Sequence, residues 1–221
     1  MNFIFIILTF LISAVIARIL IPRILLISLR KKLFDIPDDR KIHKRAIPRL
    51  GGVSFFPTTL FAFCLVYAFR LLDGDSISTL YASYLLPELL LFACGMTLLY
   101  LTGIADDLVG VRYRQKFAIQ IFCACLFPLS GLWINDLYGL FGIHELSAYV
   151  GIPFTVLTVV FITNAINLID GIDGLASGLS SVALLVFTFL FISKGLWSYA
   201  MLSAGTFGVL VPFFYYNVFG S

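Results

Sequence analysis

Long apolar runs, set apart by short polar stretches, recur along this chain from residue 3 to residue 215 and leave it few ways to fold. A helix needs about 20 mainly apolar residues to cross the hydrocarbon core of a bilayer, where each backbone N–H and C=O must find its partner inside the protein. Seven runs meet that need, at 3–27, 51–71, 86–105, 117–134, 148–168, 175–193 and 196–215. The expected fold is all-α, a polytopic bundle of about seven transmembrane helices, with the first bent at Pro22. Charged residues make up only 12% of the chain, against about 25% in an ordinary soluble domain. The first run is read as a span and not as a cleaved leader, because no basic segment precedes it and no small-residue cleavage pattern follows it. Without a long linker or an internal repeat, residues 1–221 read as a single integral membrane domain.

Lys and Arg set the expected orientation. Arg30, Lys31, Lys32, Arg40, Lys41, Lys44, Arg45 and Arg49 fall between the first two runs, and Arg112, Arg114 and Lys116 fall between the third and fourth. The positive-inside rule places both segments in the cytoplasm. Residues 135–147 carry neither Lys nor Arg, 72–85 has only Arg70 at its edge, and the turn after the sixth run has only Lys194. The amino terminus is therefore expected outside, with 169–174 and the tail after Tyr216 inside. The net charge of +3 is mainly this topology signal, so a nucleic-acid partner is set aside. Cys64, Cys94, Cys123 and Cys125 all lie in apolar runs and read as packing residues, with Cys123 and Cys125 pointing to different sides of their helix.

Three polar constellations gather on the expected cytoplasmic face. Asp106 and Asp107 close the third run. Adjacent carboxylates repel, are costly near a bilayer, and are poorly placed at a helix C-terminus that already carries partial negative charge. Such a pair suits a catalytic or cation-binding role; its bland alternative is a solvated helix end paired with Arg112 or Arg114. Asn164, Asn167, Asp170 and Asp173 then recur every third residue through an otherwise apolar stretch. On an α-helix that step spreads them over about half the circumference, and in a 3₁₀ turn it aligns them on one edge. Gly171 and Gly174 favour a break in the helix here, with a plain polar turn as the alternative. Finally, the basic segment from Asp38 to Gly52 brings His43, Lys44, Pro48, Arg49 and the pair Gly51-Gly52 to the second run; it reads equally as a phosphate-binding loop and as an anchor at anionic headgroups. Asp73-Gly74-Asp75-Ser76 lacks most calcium-loop ligands and reads as a turn.

With these motifs in this order, the chain closely resembles the polyprenyl-phosphate N-acetylhexosamine-1-phosphate transferases, glycosyltransferase family 4. The matching residues are His43 with Pro48 and Gly51-Gly52, Asp106-Asp107, and Asn164 through Ala176, and the likeness runs from the first span to Tyr216-Asn217. The stretches 38–52 and 163–178 look more like the branch handling N-acetylglucosamine 1-phosphate than the phospho-N-acetylmuramoyl-pentapeptide branch. Members of this family continue with further helices, a Gly-Asp-x-Gly-Ser motif whose Asp binds Mg²⁺, and a His-rich loop. This sequence has only His43 and His144 as histidines, and is expected to be the N-terminal portion of that fold.

The resemblance implies transfer of a hexosamine 1-phosphate from a UDP-sugar to undecaprenyl phosphate in the inner membrane, at the start of envelope polysaccharide synthesis. It implies Mg²⁺, or Mn²⁺ in its place, with Asp107 and Asp170 as ligands; Asp106 and Asp107 as catalytic residues; and Asn164, Asn167, Asp170 and Asp173 as nucleotide-sugar contacts. His43, Lys44, Arg49, Arg112 and Lys116 would hold phosphate, and the assembly leaves room for a homodimer. Competing readings are an inactive fragment and a transporter or binding bundle. Transport is disfavoured by acids at run ends and by the lack of an inverted repeat.

Overall fold

The computed structural model describes residues 2–31, 34–35, 47–48, 51–73 and 76–219. Its secondary structure is nearly all helical. Seven α-helices are described: α1 Asn2–Arg30, α2 Phe55–Leu72, α3 Ser76–Val109, α4 Tyr113–Leu129, α5 Ala148–Ile169, α6 Leu175–Ser193 and α7 Trp197–Phe219. Each coincides with one expected run. A 3₁₀ segment, Gly51–Ser54, leads into α2. The two-residue strands β1 Phe34–Asp35 and β2 Ile47–Pro48 pair antiparallel.

Six of the segments are long and apolar enough to cross a membrane, and the chain is a multi-pass membrane protein. The exception by length is α4, at 17 residues. It begins earlier than expected, admitting Arg114 and Lys116, and stops at Leu129, so the residues after it form a loop and not a last turn of span. The third helix also differs: α3 has 34 residues and takes in the stretch 76–85 that was expected to be a connecting loop. Helix α1 runs through Pro22 without interruption.

Contacts divide the chain into two compact units, residues 1–75 with 169–221, and residues 76–168. In the first, α1 lies along α7. Thr9, Ser13, Ala17 and Ile21 recur every fourth residue on α1 and are fully buried, a spacing that puts them on one face of a helix. Facing them on α7 are Gly205 and Gly208. A Cβ at Gly208 would stand 2.5 Å from the Phe10 carbonyl oxygen, and one at Gly205 2.9 Å from Thr9 Cγ2. Small residues let two backbones approach, which replaces the hydrophobic driving force that lipid surroundings remove. Phe10 stacks on Phe207 at 5.5 Å, and Phe55 meets Phe213 edge-on at 4.7 Å. Helix α6 joins through Ser203, whose hydroxyl donates to the Leu184 carbonyl.

The second unit contains α3, α4 and α5. Cys123 is buried at the α3–α4 seam, its thiol 3.5 Å from the Gly95 carbonyl, and so packs as expected, whereas Cys64, Cys94 and Cys125 are exposed and do not fill the protein interior; Cys123 and Cys125 do take different sides of α4.

Candidate active site

In the second unit the antiparallel run of α3 into α4 makes the site. Helix α3 ends through Gly110, whose N–H bonds the Asp106 carbonyl and whose φ of +75° is the left-handed geometry that stops helices. The chain then reverses into α4, with Arg112 as its N-cap residue in extended conformation. This turn folds the first turn of α4 back onto the last turn of α3. Lys116 Nζ consequently reaches Asp106 Oδ2 at 2.6 Å, while the Val111 N–H donates to Asp106 Oδ1 at 2.9 Å. A cation and an N–H donor thus offset the unfavourable placement of an acid at a helix C-terminus. Asp106 and Lys116 are each about one-third exposed (29% and 32%), so water and ligands can reach the pair.

The partner is Lys116, where the sequence alternative put Arg112 or Arg114. Arg112 is exposed, and Arg114 Nε donates to the Tyr113 hydroxyl at 3.0 Å. Asp107 sits beside Asp106 and is partly buried.

One turn beyond Lys116, Gln120 continues the same face of α4. Its Oε1 accepts from Asn164 Nδ2 at 2.8 Å, and the same amide nitrogen donates to the Val160 carbonyl at 2.8 Å. Both amide hydrogens of Asn164 are thereby engaged, leaving its Oδ1 as the group with capacity for a ligand donor. Two hydrogen-bonded pairs, Asp106–Lys116 and Gln120–Asn164, thus lie one turn apart along α4 and make a polar strip across α3, α4 and α5. Gln120 also lines a mostly apolar pocket together with Gly95, Cys123, Leu126 and Thr163. Sequence reading did not single out Gln120; its signal is an amide four residues after Lys116 inside an apolar run.

Asn164 and Asn167 both lie within the α-helical part of α5, so the 3₁₀ alignment is not adopted there, and Asn167 is exposed. The break falls after Asn167: α5 ends at Ile169 and α6 starts at Leu175.

Asp170 and Asp173 belong to the turn between, in the first unit. Gly174 closes that turn at φ +77°, and its N–H donates to Asn217 Oδ1. A Cβ there would meet Val218 Cγ2 at 2.5 Å, so conformation and space both require glycine. Asn217 is a second residue that sequence reading left without a role. Asp170 as a residue keeps solvent access, yet its carboxyl is partly desolvated. That burial first, and the nearby Asp173 charge second, raise its pKa above the ordinary value.

Among the described residues no group of three or more His, Cys, Asp or Glu side chains is placed to hold a metal ion. Two carboxylates are a sufficient protein share for Mg²⁺ when substrate phosphates complete the shell; Asp170 and Asp173 are the acids of this turn, and the Asp173 charge acts on Asp170. His43, Lys44 and Arg49 lie outside the described residues.

The class so defined is a helical multi-pass membrane protein with an acid, a cation and amides at one end of α3, α4 and α5. The profile of glycosyl transferase family 4 matches residues 89–221, and the chain belongs to that family. It is 29% identical to a probable undecaprenyl-phosphate N-acetylglucosaminyl 1-phosphate transferase of Bacillus subtilis (strain 168), over 96% of this chain and 55% of that protein. With the phospho-N-acetylmuramoyl-pentapeptide-transferase of Staphylococcus carnosus (strain TM300) it shares 29% identity over 96% of this chain and 65% of the relative. The undecaprenyl-phosphate alpha-N-acetylglucosaminyl 1-phosphate transferase of Escherichia coli (strain K12) is 29% identical over 78% of this chain and 44% of its own length. The chain thus spans about half the length of the curated relatives it matches.

Proposed function

We propose that this chain carries part of the site of a transferase that moves N-acetylhexosamine 1-phosphate, with N-acetylglucosamine 1-phosphate as the group, from a UDP-sugar to undecaprenyl phosphate. The observation that carries the reading is the strip Asp106–Lys116 and Gln120–Asn164, which lies within the family-matched residues. In the reaction an oxygen of the lipid phosphate forms a bond to the β-phosphorus of the nucleotide sugar, the bond from that phosphorus to the bridging oxygen breaks, and UMP leaves. Such phosphoryl transfer depends mainly on positioning and charge neutralisation.

Lys116, fixed by Asp106, supplies a positive charge where phosphates meet, and Arg112 is exposed nearby in sequence to add another. A phosphate monoester has its second pKa near about 6 and is largely ionised at neutral pH. Asp106 therefore serves to orient Lys116 and the acceptor more than to remove a proton. Asn164 presents Oδ1 to a donor on the nucleotide sugar, and Asn167 adds an exposed amide. Asp170 with Asp173 would hold Mg²⁺, or Mn²⁺, whose contribution when bound is to neutralise the diphosphate. Asp107, the other carboxylate proposed for the metal, is put forward on its chemistry alone, as are His43, Lys44 and Arg49 for phosphate. The site is assigned to the cytoplasmic face of the inner membrane, with the bilayer supplying the acceptor.

The test is UMP release from UDP-N-acetylglucosamine by the purified chain in detergent with undecaprenyl phosphate and Mg²⁺, alone and extended by a family carboxy-terminal half. Turnover is expected from the extended chain, and Lys116→Ala is expected to reduce it by about 100-fold, the scale of losing one charge-stabilising group. Unchanged turnover in Lys116→Ala and in Asp106→Asn would remove the strip from the chemistry. Release with UDP-N-acetylmuramoyl-pentapeptide and not with UDP-N-acetylglucosamine would support instead the second reading, for which the Staphylococcus carnosus relative speaks.

A further inference from the structure

At the opposite end of the second unit, the residues between α4 and α5 form a hairpin. Asp136 bridges Glu145 antiparallel; the Leu137 N–H bonds the His144 carbonyl and the Gly139 N–H the Ile143 carbonyl, both at 3.0 Å. Its base is tied to α5: the Ile134 N–H donates to Thr155 Oγ1 at 2.8 Å, and Gly151 is packed so closely that a Cβ would stand 2.5 Å from Trp133 and from the Ile134 carbonyl. The hairpin is thus a fixed extension of a membrane-spanning helix.

Its tip holds two aromatic residues in a conformation such residues rarely adopt. Tyr138 has φ 51° and Phe141 φ 57°, and left-handed backbone at a bulky residue is an outlier that usually accompanies function. Neither ring is packed against the protein: Tyr138 is 87% and Phe141 89% exposed. Leu140 and Ile143 are also exposed, and Tyr149, in the first turn of α5, is 94% exposed.

We propose that this hairpin is a lipid-binding element, seated in the headgroup layer of the bilayer at the end where α4 stops and α5 starts, with Tyr138 and Phe141 as its anchors. Three observations select lipid as the occupant. The apolar surface is continuous with the outward face of α5, where Val150, Phe154, Leu157 and Phe161 are exposed on a helix that is itself long and apolar enough to span. Aromatic residues, Tyr and Trp above all, concentrate at that depth, where an apolar ring and a polar edge are both satisfied. Much of the hairpin's backbone bonds within the hairpin, from the N–H groups of Leu137, Gly139, Leu140, Gly142 and Ile143, and Asp136 Oδ1 takes the Tyr138 N–H at 2.6 Å, which lowers the cost of leaving bulk water. Lacking Lys and Arg between 130 and 147, the element is suited to zwitterionic lipid and has no charge basis for selecting anionic lipid.

Phe141→Trp in the full chain, reconstituted in phosphatidylcholine vesicles, tests this against wild type, whose Trp133 and Trp197 give the background emission. The added emission is expected to be blue-shifted and to lose most of its intensity when the acyl chains carry bromine near the headgroup; Tyr138→Trp should behave alike. Added emission characteristic of bulk water, unaffected by brominated lipid, would overturn the proposal. Blue-shifted emission that brominated lipid does not quench would overturn it too, by showing that protein and not lipid covers the tip.

Discussion

Which cation meets Asp106 depends on the turn at Gly110, whose positive φ sets α4 back against α3 and selects Lys116 over the sequence-nearer Arg112 and Arg114. Asp170 yields a prediction with a definite sign. Its folded-state pKa is raised, by burial and then by Asp173, so in the window between the ordinary and the raised value the folded chain holds a proton that the unfolded chain has lost. Stability from this group is then lost as pH rises through that window, and the penalty is complete above it. Asp170→Asn cannot ionise and is expected to unfold at a higher temperature than wild type at neutral pH, the difference vanishing in acid below the ordinary carboxylate pKa. Thermal unfolding in detergent across pH reads this directly, and a variant no more stable than wild type at neutral pH would contradict the desolvation of Asp170. If Asp170 also holds Mg²⁺, the same variant should lose metal-dependent UMP release while gaining stability.

Among the elements, helix existence was the legible part and helix ends the illegible part. Apolar run length found the seven helices of the described residues because the bilayer sets the length of a span. It misjudged α4, whose first turns carry polar residues that bind within the protein, and it carried the span on to residue 134, when α4 stops at Leu129 and residues 130–134 lead into the hairpin. The α1–α7 seam was overlooked for another reason: Arg18, Arg23 and Arg30 apart, α1 is apolar or small along its length, and α7 is mainly so, so hydropathy does not separate the face toward protein from the face toward lipid. Only the fourfold spacing of Thr9, Ser13 and Ala17 against Gly205 and Gly208 marks it. Gly208→Val should therefore destabilise the first unit by at least about 2 kcal/mol, the scale of overpacking a tight interior, because its side chain has the Phe10 carbonyl and Ser13 in its way. Equilibrium unfolding in mixed micelles would measure it; Gly103→Val, at a position where a Cβ meets nothing within 4 Å, serves as the control and should change stability far less. Equal effects at the two positions would mean that close approach of α1 and α7 is not what holds this unit together.

For the whole molecule, function depends on which side of the membrane the polar strip faces, and charge distribution is the argument for it. Arg112, Arg114 and Lys116 adjoin Asp106, whereas the stretch 130–147 at the other end of α4 has no Lys or Arg. A translocated basic segment next to a span is disfavoured in a way that a translocated acidic or neutral one is not. Nucleotide sugars are water-soluble and made in the cytoplasm under the proposed reading, so the strip has to open there for UMP release to occur at all. A cysteine at Arg112 should thus be shielded from an impermeant thiol reagent in intact cells and become reactive on permeabilisation, while a cysteine at Asp73 should react in intact cells. Cys64, Cys94 and Cys125, the exposed native thiols, need replacement beforehand so that only the new site reports. Reversal of this pattern would leave the helices and the Asp106–Lys116 pair as they are. It would, however, place the pair away from nucleotide sugar and end the transferase assignment, since no local chemistry at the strip can compensate for a donor on the wrong side.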